Sequence, residues 1–335
     1  MSKKEWHLYI LKDLDPIRVH TIYHALATSL SNMPDINCIL LTTTNKSSMS
    51  CGFHQNFYEE VDINYCKKND IQLVRRMSGG GLVLLEKNQV FFNVILNEMA
   101  FPVPIKKLYA LALQGPNQYL KNLNLDSSIN YNEIVIKNRK ISGTGAASIE
   151  KAGVVIGNIL LDFNHKKFCN ALNVPSENFR SLILEQAKKY VTTLKRELPR
   201  QNISVDEVID RLRFAFESVL NKKLRLKEFD DINLDKLNEV EEEYTQHYWN
   251  FRKRDAIDKT RVYIKIKNGA FIYHDTRLDA DFLITNGRIK KVKSLYKNSE
   301  ISKLVGMNIF KISKKFPEFK KLQEVMVTYC EHSNN

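Results

Sequence analysis

The sequence predicts an α+β protein: a mixed or antiparallel β-sheet flanked by helices, followed by a smaller α+β domain. Three observations support this prediction. Short runs of branched and aromatic residues, bounded by Gly, Asn or Ser, dominate the first 165 residues, as strands do. Segments with a helical apolar period lie between and after these runs. The composition changes after about Leu224, where a highly charged stretch precedes a second strand-rich segment.

The elements are predicted in chain order from these patterns. Helices are predicted from Arg18 to Leu30 and from Ile105 to Leu113, and the second should end or kink at Gly115-Pro116 because proline cannot continue a helical hydrogen-bond ladder. Another helix begins at Ser204, with Glu207 three residues later in a capping-box pattern. Strands are predicted for INCILL (37–42), IQLVRR (71–76), VFFNVI (90–95), EIVIK (133–137) and VVIGNILL (154–161).

We predict three segments: a first domain over residues 1–225, a linker over 226–240 and a smaller domain over 241–335. The linker prediction rests on the charged stretch RLKEFDDINLDKLNEVEEEY. In the smaller domain, two alternating runs flank Asn268-Gly269, and Asn-Gly is the strongest short hairpin signal.

Composition excludes several classes of protein. With 43% hydrophobic and 27% charged residues, the chain is neither disordered nor of low complexity. No run approaches the roughly 18 apolar residues that a membrane span needs, and the N-terminus lacks a signal-peptide core, so we expect a cytoplasmic protein. The five cysteines form no close pair, which predicts neither a zinc site nor a disulfide framework. The net charge of +13 suits an anionic partner: a nucleotide, a nucleic acid or an acidic protein surface.

The first motif with chemical meaning is Arg75-Arg76-Met77-Ser78-Gly79-Gly80-Gly81. Successive residues without Cβ let several backbone N–H groups converge on one anion. Arg76, directly before the turn, is expected to bind a phosphate with two parallel hydrogen bonds. Three glycines alone fit an ordinary β-turn between solvated arginines equally well.

The second motif is Arg139-Lys140-Ile141-Ser142-Gly143-Thr144-Gly145, which follows the strand EIVIK. A lysine beside a small-residue turn can place its ammonium against a carboxylate, a phosphate or an acyl-phosphate oxygen. Taken singly, this lysine fits an exposed hairpin position better. The two motifs together, each with a cation, predict a nucleotide pocket built from neighbouring strands.

These segments resemble the signatures of the lipoate–protein ligases, relatives of biotin ligases and octanoyltransferases. The resemblance extends over 47–81, over Asn132-Glu133, where the family has an Asn-Asp/Glu step, and over Lys140, where it has its active-site lysine. The segment 153–164 and ALNVPSENFRS resemble the next strand and helix of the family. YWNFRKRD and the strands after Arg261 resemble its C-terminal accessory domain.

The resemblance implies an ATP-dependent enzyme that binds lipoate in an apolar tunnel beside ATP. Lipoate becomes lipoyl-AMP. Mg²⁺ is expected to bind together with ATP, and the sequence does not identify protein ligands for it. The lipoyl group then passes to a lysine of an acceptor protein: the lipoyl domain of a 2-oxoacid dehydrogenase, the glycine cleavage H protein or a related lipoate-binding protein. Lys140 is the catalytic residue implied. The residues implied in binding nucleotide or lipoyl-AMP are Arg76, Ser78, Gly79, Gly80, Gly81, Asn88, Asn132, Lys140, Ser142 and Gly157.

The sequence also departs from the family's pattern. Two positions where the family has histidine hold Leu85 and Ile156, which indicates a changed substrate or acceptor preference or a loss of activity. Transferase relatives have a nucleophilic cysteine near the strand at 153–161. No cysteine occurs there, and Cys169 fits a buried helix position better.

Three functions therefore remain open at this level. We predict a monomeric lipoate–protein ligase with a fused accessory domain, and no membrane or nucleic-acid partner. The alternatives are an acyltransferase that moves octanoyl or lipoyl groups between carrier proteins, and a non-catalytic relative that binds nucleotide or nucleic acid.

Overall fold

The computed structural model describes residues 4–97, 104–252, 262–267, 269–294 and 299–312. Strands and helices are mixed along the chain, and the predicted α+β class is confirmed. The elements are, in order, β1 (Glu5–Leu14), α1 (Pro16–Leu30), β2 (Ile36–Thr44), β3 (Ser48–Cys51), α2 (Phe57–Glu60), α3 (Ile63–Lys68), β4 (Gln72–Arg75), β5 (Val83–Leu85), β6 (Gln89–Asn97), α4 (Ile105–Ala112), α5 (Gln114–Asn122), β7 (Ser127–Asn130), β8 (Glu133–Ile136), β9 (Arg139–Ile149), β10 (Ala152–Leu160), α6 (His165–Asn170), α7 (Glu177–Tyr190), α8 (Leu194–Glu197), α9 (Val205–Leu220), β11 (Arg225–Lys227), α10 (Leu234–Thr245), α11 (His247–Asn250), β12 (Tyr263–Lys267), β13 (Ala270–Asp275), β14 (Ala280–Thr285), β15 (Arg288–Ser294), α12 (Ser299–Ser302) and α13 (Ile309–Ile312).

Within the described residues, eight strands form the main sheet, in the order β11-β1-β2-β6-β10-β9-β8-β7. β1 is parallel to β2 and β11, and the other neighbours are antiparallel. Helix α1 makes the crossover that the parallel pair β1 and β2 requires. Four of the five predicted strands lie in this sheet, as β2, β6, β8 and β10.

Helices cover both faces of the main sheet. One face, called the α1 face below, packs Leu40 and Val154 against α1 and α10. The other, called the α9 face, packs Ile39 and Phe92 against α5 and α9. Because successive side chains of a strand alternate between faces, the register of the sheet determines which functional residues share a side.

Local sequence signals place the helix starts. The Asp15 side chain accepts a hydrogen bond from the Ile17 amide, so α1 begins two residues before the predicted Arg18. The Ser204 hydroxyl accepts from the Glu207 amide at 3.1 Å and caps α9 as predicted.

The predicted interruption near Gly115-Pro116 comes slightly earlier than expected. Helix α4 ends at Ala112, and α5 begins at Gln114, so the dipeptide lies in the first turn of the next helix. A Cβ on Gly115 would lie 2.3 Å from the Phe216 ring. Glycine is needed here so that α5 and α9 can pack closely.

A small sheet of the order β4-β3-β5 accompanies the main sheet. β3 is parallel to β4 and antiparallel to β5. The predicted strand 71–76 forms β4, so the glycine motif is the connection from β4 to β5.

The chain divides into two compact units. The first has the described residues of Met1–Tyr58, Ile63–Asn164 and Tyr190–Arg254, and the second has those of Glu59–Asp62, His165–Lys189 and Asp255–Asn335.

This division differs from the predicted boundaries at residues 225 and 240. The charged segment predicted as a linker contains most of α10, and its apolar positions enter the core of the α1 face together with residues that follow it: Ile232, Leu237, Val240, Tyr244 and Trp249. The charges of this segment are on its exposed side and hide its apolar stripe in a composition average.

The second unit contains the smaller sheet, an antiparallel meander in the order β12-β13-β14-β15. Phe271, Phe282 and Ile289 lie in its core. β12 and β13 pair antiparallel, which confirms the predicted hairpin. Gly269 has φ +73°, and Asn268 lies outside the described residues.

Candidate active site

The glycine turn packs directly on β9 of the main sheet. The Gly79 amide donates to the Ala146 carbonyl at 3.2 Å. A Cβ on Gly145 would lie 2.7 Å from the Gly79 carbonyl oxygen, and one on Gly52 would lie 2.1 Å from the Gly80 oxygen. Glycines at 52 and 145 therefore allow backbones on both sides to contact the turn. Gly80 itself has φ +100°, a conformation that favours glycine.

Arg76 fixes the conformation of the glycine turn through hydrogen bonds. Its guanidinium donates five hydrogen bonds, to the Ser50 carbonyl and hydroxyl, the Ser78 hydroxyl, and the Gly79 and Gly81 carbonyls. A guanidinium has five N–H donors, so the expected two-pronged contact from Arg76 to a phosphate is not what the geometry provides. Arg76 shapes the turn instead.

Arg75 has a separate structural role. Its guanidinium donates to the carbonyls of Gly52, Phe53 and Gln55 and to those of Trp249 and Asn250. It is fully buried and joins the loop after β3 to the end of α11.

The turn nevertheless has the features of an anion site. Arg76 is 6% exposed, and burial lowers its pKa. Tyr23, Cys51 and Tyr109 act on its pKa, and its own charge acts on His20; none of these groups is a carboxylate. Above this buried positive charge, Gly80 and Gly81 are exposed. Within the described part of the chain, their amides donate to no protein acceptor. Free amides over a buried cation favour a bound anion.

Lys140 lies at the start of β9, beside a β-bulge. Opposite β8, Ser142 pairs with Ile134 and Lys140 with Val135, so Ile141 is the extra residue. Bulges re-aim side chains and are frequent near active sites. The Lys140 ammonium lies 2.7 Å from a carboxylate oxygen of Glu133, and the lysine side chain is 29% exposed. A ligand can therefore reach it.

Glu133 is itself held by Tyr190, whose hydroxyl donates to the second carboxylate oxygen. Burial, and then the Glu133 charge, raise the pKa of Tyr190, so the phenol stays protonated and remains the donor. The Thr192 amide donates to the Lys140 carbonyl at 2.8 Å. The position of Lys140 is thus fixed at both its backbone and its ammonium.

The register of β9 puts Lys140 and the glycine turn on the same face of the sheet. The turn covers Gly145, and the Lys140 side chain covers Gly143, where an added Cβ would meet its Nζ at 3.3 Å. Gly143 and Gly145 are two residues apart and share a face. Ala147, the next residue in this series, packs in the core of the α1 face. The cation and the anion site therefore both lie on the α1 face.

A side-chain network that the sequence reasoning did not select supports this arrangement. Asn158 on β10 accepts from the Gly143 amide at 3.0 Å and donates to Gln89 on β6 at 3.1 Å. Gln89 donates in turn to the Leu84 carbonyl. An asparagine in an otherwise apolar strand was the available signal, since buried amides need partners.

The remaining predicted site residues are not part of this group. Gly157 lies on the α9 face, where a Cβ would meet Phe92 at 2.3 Å, so it is needed for packing. Ser142 is fully buried and pairs with Ile134, which packs in the core of the α9 face.

Asn88 and Asn132 lie in turns at the ends of strands. The exposed Asn88 accepts through its carbonyl from the Leu161 and Asp162 amides. The Asn132 carbonyl accepts from the Thr144 hydroxyl, one residue before Gly145.

The two positions that lack the family's histidine are apolar in structure as well as in sequence. Leu85 is buried beside Val19 and Phe91, and Ile156 packs at the edge of the α1-face core. Neither supplies a polar contact to a ligand.

The described residues contain neither a metal-binding cluster nor a membrane-spanning helix. No group of three or more His, Cys, Asp or Glu side chains in them is arranged to hold a metal ion. None of their helices combines the length and the apolar character that crossing a membrane requires.

Sequence comparison identifies relatives with two kinds of activity in their names. Residues 19–217 match the model of the lipoyl protein ligase A/B catalytic domain. Octanoyltransferase LipM of Bacillus subtilis is 26% identical over 238 residues, covering 62% of this chain and 84% of the relative. A probable lipoate-protein ligase A of Mycoplasma pneumoniae is 25% identical over 212 residues, covering 62% of this chain and 60% of the relative.

Solved structures have the same fold. A bipartite lipoate protein ligase of Thermoplasma acidophilum, described together with its E2 lipoyl domain, superposes with a TM-score of 0.66 at 23% identity, over 76% of this chain and 99% of that one. A lipoate-protein ligase A bound with ATP superposes with a TM-score of 0.61 at 21% identity, over 74% and 98%. The glycine turn and Lys140 both lie inside the matched region, which spans more than half of the sequence, and this chain belongs to the lipoyl protein ligase A/B catalytic domain family of lipoate ligases and octanoyltransferases.

Proposed function

We propose that this protein is an ATP-dependent lipoate–protein ligase. The observation that supports it best is the joint position of Lys140 and the glycine turn on the α1 face. Among the described residues, the turn has free amides over a buried cation that no carboxylate pairs with. The Lys140 ammonium lies over Gly143, two residues along β9 from Gly145 under the turn. This arrangement suits a reaction that brings a carboxylate and a phosphate together.

In the first half-reaction, a lipoate carboxylate oxygen attacks the α-phosphorus of ATP. The new O–P bond replaces the bond to pyrophosphate, which leaves with its electron pair. The Gly80 and Gly81 amides and the buried charge of Arg76 are placed to stabilise the phosphate oxygens. The Lys140 ammonium reduces the repulsion between the two anions that must meet.

In the second half-reaction, the ε-amine of an acceptor lysine attacks the acyl carbonyl carbon. The C–N bond forms, the C–O bond to AMP breaks, and the amine loses a proton. Lys140 is placed to stabilise the charge on both the carbonyl and the departing phosphate. Glu133 holds the ammonium in place until the ligand binds.

The remaining substrates and partners follow from the same proposal. Mg²⁺ would arrive with ATP, whose phosphates bind it. A lipoyl domain is the acceptor class that we propose, and the net charge of +13 would attract an acidic acceptor surface. We propose that the strand-rich segment from residue 262 serves adenylate formation as an accessory domain of a monomeric enzyme.

Octanoyl transfer between carrier proteins is the second candidate, and the name of the Bacillus subtilis relative favours it. A thioester mechanism needs an accessible thiolate. Cys169 is 1% exposed, and burial raises its pKa to about 12. Cys38, Cys51 and Cys66 are also buried. The fifth cysteine, Cys330, lies outside the described residues.

The experiment combines the enzyme with lipoate, Mg·ATP and a panel of lipoyl-domain acceptors, and the mass gain of each acceptor is measured. We expect lipoyl addition that requires ATP. Cys169→Ser and Cys330→Ser variants should match the parent enzyme in rate. Octanoyl transfer from an acylated carrier protein without ATP, abolished by either cysteine variant, would refute the ligase proposal in favour of the transferase.

A further inference from the structure

Besides the Tyr23 hydroxyl, three buried polar side chains on the α1 face lack hydrogen-bond partners in the described protein. They are His20, through both ring nitrogens, Thr42, through its hydroxyl, and Asn93, through both amide atoms. Their exposures are 5%, 0% and 1%. An unsatisfied buried polar group costs about 1–3 kcal/mol, so five such atoms on one face of the sheet indicate a missing partner. We call these three residues the polar cluster.

The register of the main sheet places the polar cluster beside the candidate active site. Asn93 on β6 pairs with Ile156 on β10, and Ile156 pairs with Gly145, the residue under the glycine turn. Two strand spacings, about 10 Å, separate Asn93 from Gly145. On the other side, Asn93 pairs with Leu40, two residues before Thr42. All these side-chain positions are on the α1 face.

Helix α1 completes the polar cluster from above the sheet. Val19 packs against Phe91, which precedes Asn93 by two residues and therefore shares its face. His20 follows Val19. Burial, followed by the charge of Arg76, lowers the pKa of His20 to about 3. The imidazole is thus neutral near pH 7, close to the arginine under the glycine turn, with one donor and one acceptor nitrogen.

The polar cluster offers an uncharged mixture of hydrogen-bond donors and acceptors. A plain hydrocarbon chain lying there would leave all five atoms unpaired. A hydroxyl group satisfies both donors and acceptors, and sulfur is a weak acceptor or, as a thiol, a weak donor.

We propose that the polar cluster receives the far end of the acyl chain and selects acids with a heteroatom near that end over straight-chain fatty acids of equal length. The chain would run from Lys140 and the glycine turn across β10 to β6. This inference rests on the proposed function, which places the carboxylate of the acid at Lys140. It also gives a physical basis for preferring a sulfur-containing lipoyl group over an octanoyl group at this site.

The preference should be measurable with three acids: octanoate, octanoate hydroxylated on its terminal carbon, and lipoate. A site built to hydrogen-bond a substrate hydroxyl rejects the analogue without it, because its polar groups are then left unpaired. We expect kcat/KM for adenylate formation to be about 100-fold higher with the hydroxylated acid than with octanoate. With lipoate it should be about 10-fold higher than with octanoate, since sulfur is the weaker hydrogen-bond partner.

Two variants test the assignment to these residues. Asn93→Leu and the nearly isosteric Thr42→Val should each reduce the ratio of hydroxylated acid to octanoate by about 10-fold or more, with octanoate used at least as well as before. The matched control is Tyr119→Phe. Its hydroxyl is also buried without a partner, but Tyr119 packs on the α9 face, so its removal should leave the ratio unchanged.

The same acids are titrated calorimetrically, so that binding is measured independently of catalysis. Equal use of octanoate and hydroxylated acid by the parent enzyme, unchanged in both variants, would mean that the polar cluster holds water and would overturn the inference. The ligase proposal would survive that result, because adenylate still forms. If no acid forms an adenylate, the ligase proposal fails, and the calorimetric ratios still decide the inference. Absence of binding by all three acids would refute both.

Discussion

Gly145→Ala is the substitution whose effect the structure defines most sharply. The added Cβ would lie 2.7 Å from the Gly79 carbonyl oxygen and 3.1 Å from the Ser78 hydroxyl. Ordinary contact begins near 3.4 Å, so the turn must move away from β9 by about 0.7 Å. The obstacle is backbone, which cannot rotate away as a side chain does. The glycine turn should therefore lose its position over the main sheet.

The expected result is a loss of nucleotide use that exceeds the loss of stability. Misplacement by about 1 Å costs up to about 100-fold in rate, so we expect kcat/KM for ATP to fall about 10- to 100-fold. Overpacking of this size costs about 1–3 kcal/mol in the free energy of unfolding. Pyrophosphate release at varied ATP concentration measures the first quantity, and urea unfolding measures the second.

Gly153→Ala is the matched control. Gly153 lies on the neighbouring strand β10, and its added Cβ would meet a Leu108 methyl group at 2.6 Å. That contact is with a side chain in the core of the α9 face, so the control should lose some stability, at most as much as Gly145→Ala, with little change in KM for ATP. Equal KM values for the two variants, or wild-type kinetics of Gly145→Ala, would show that the turn on β9 does not bind the nucleotide.

Three further predictions follow from the same site. Lys140→Ala should slow adenylation and transfer together by about 100- to 1000-fold, with an unchanged Tm. Lys140→Arg should restore little activity, because a planar guanidinium cannot replace a compact ammonium. Full activity of Lys140→Ala on both steps would contradict the role given to this lysine. Arg76→Lys should lower the free energy of unfolding by about 2–3 kcal/mol, since turn carbonyls lose their donors, and urea denaturation that is identical to the parent's would show that the clamp is dispensable. His20 is buried with its pKa lowered to about 3, so below pH 6.5 the unfolded chain binds a proton that the folded chain does not, and the free energy of unfolding decreases as the pH decreases. His20→Leu should remove about 2 kcal/mol of the stability difference between pH 7 and pH 5. Parallel pH profiles of stability for both proteins would contradict this.

Much of the fold could be predicted because its signals are local. The β-rich runs at 37–42 and 90–95 became β2 and β6, and the Ser204 cap fixed the start of α9. The linker prediction for 226–240 rests on the charged average of the segment, whereas Leu237, Val240 and Tyr244 of α10 recur at helical spacing and lie in the core. Composition reports an average, and burial depends on periodicity.

The site could be predicted in part for the same reason. The glycine turn and Lys140 stand out as motifs, and the structure brings them to one face of β9. The carbonyls that bind Arg76, and the face to which Gly157 points, depend on strand register, which the sequence of one strand does not reveal. The polar cluster is the clearest example, since His20, Thr42 and Asn93 lie far apart in the chain and share the α1 face only through the pairing of β2 with β6 and the packing of α1.

The central claim is that acyl-adenylate forms on the α1 face between the glycine turn and Lys140. The most direct measurement is a crystal structure of the full chain with a non-hydrolysable lipoyl-adenylate analogue, in which a sulfamate replaces the phosphate. The account predicts the sulfamate within hydrogen-bond distance of the Gly80 or Gly81 amide and of the Lys140 Nζ, with the acyl chain crossing β10 toward Asn93. An analogue bound on the α9 face, or one that leaves Lys140 paired with Glu133 and away from the sulfamate, would contradict it.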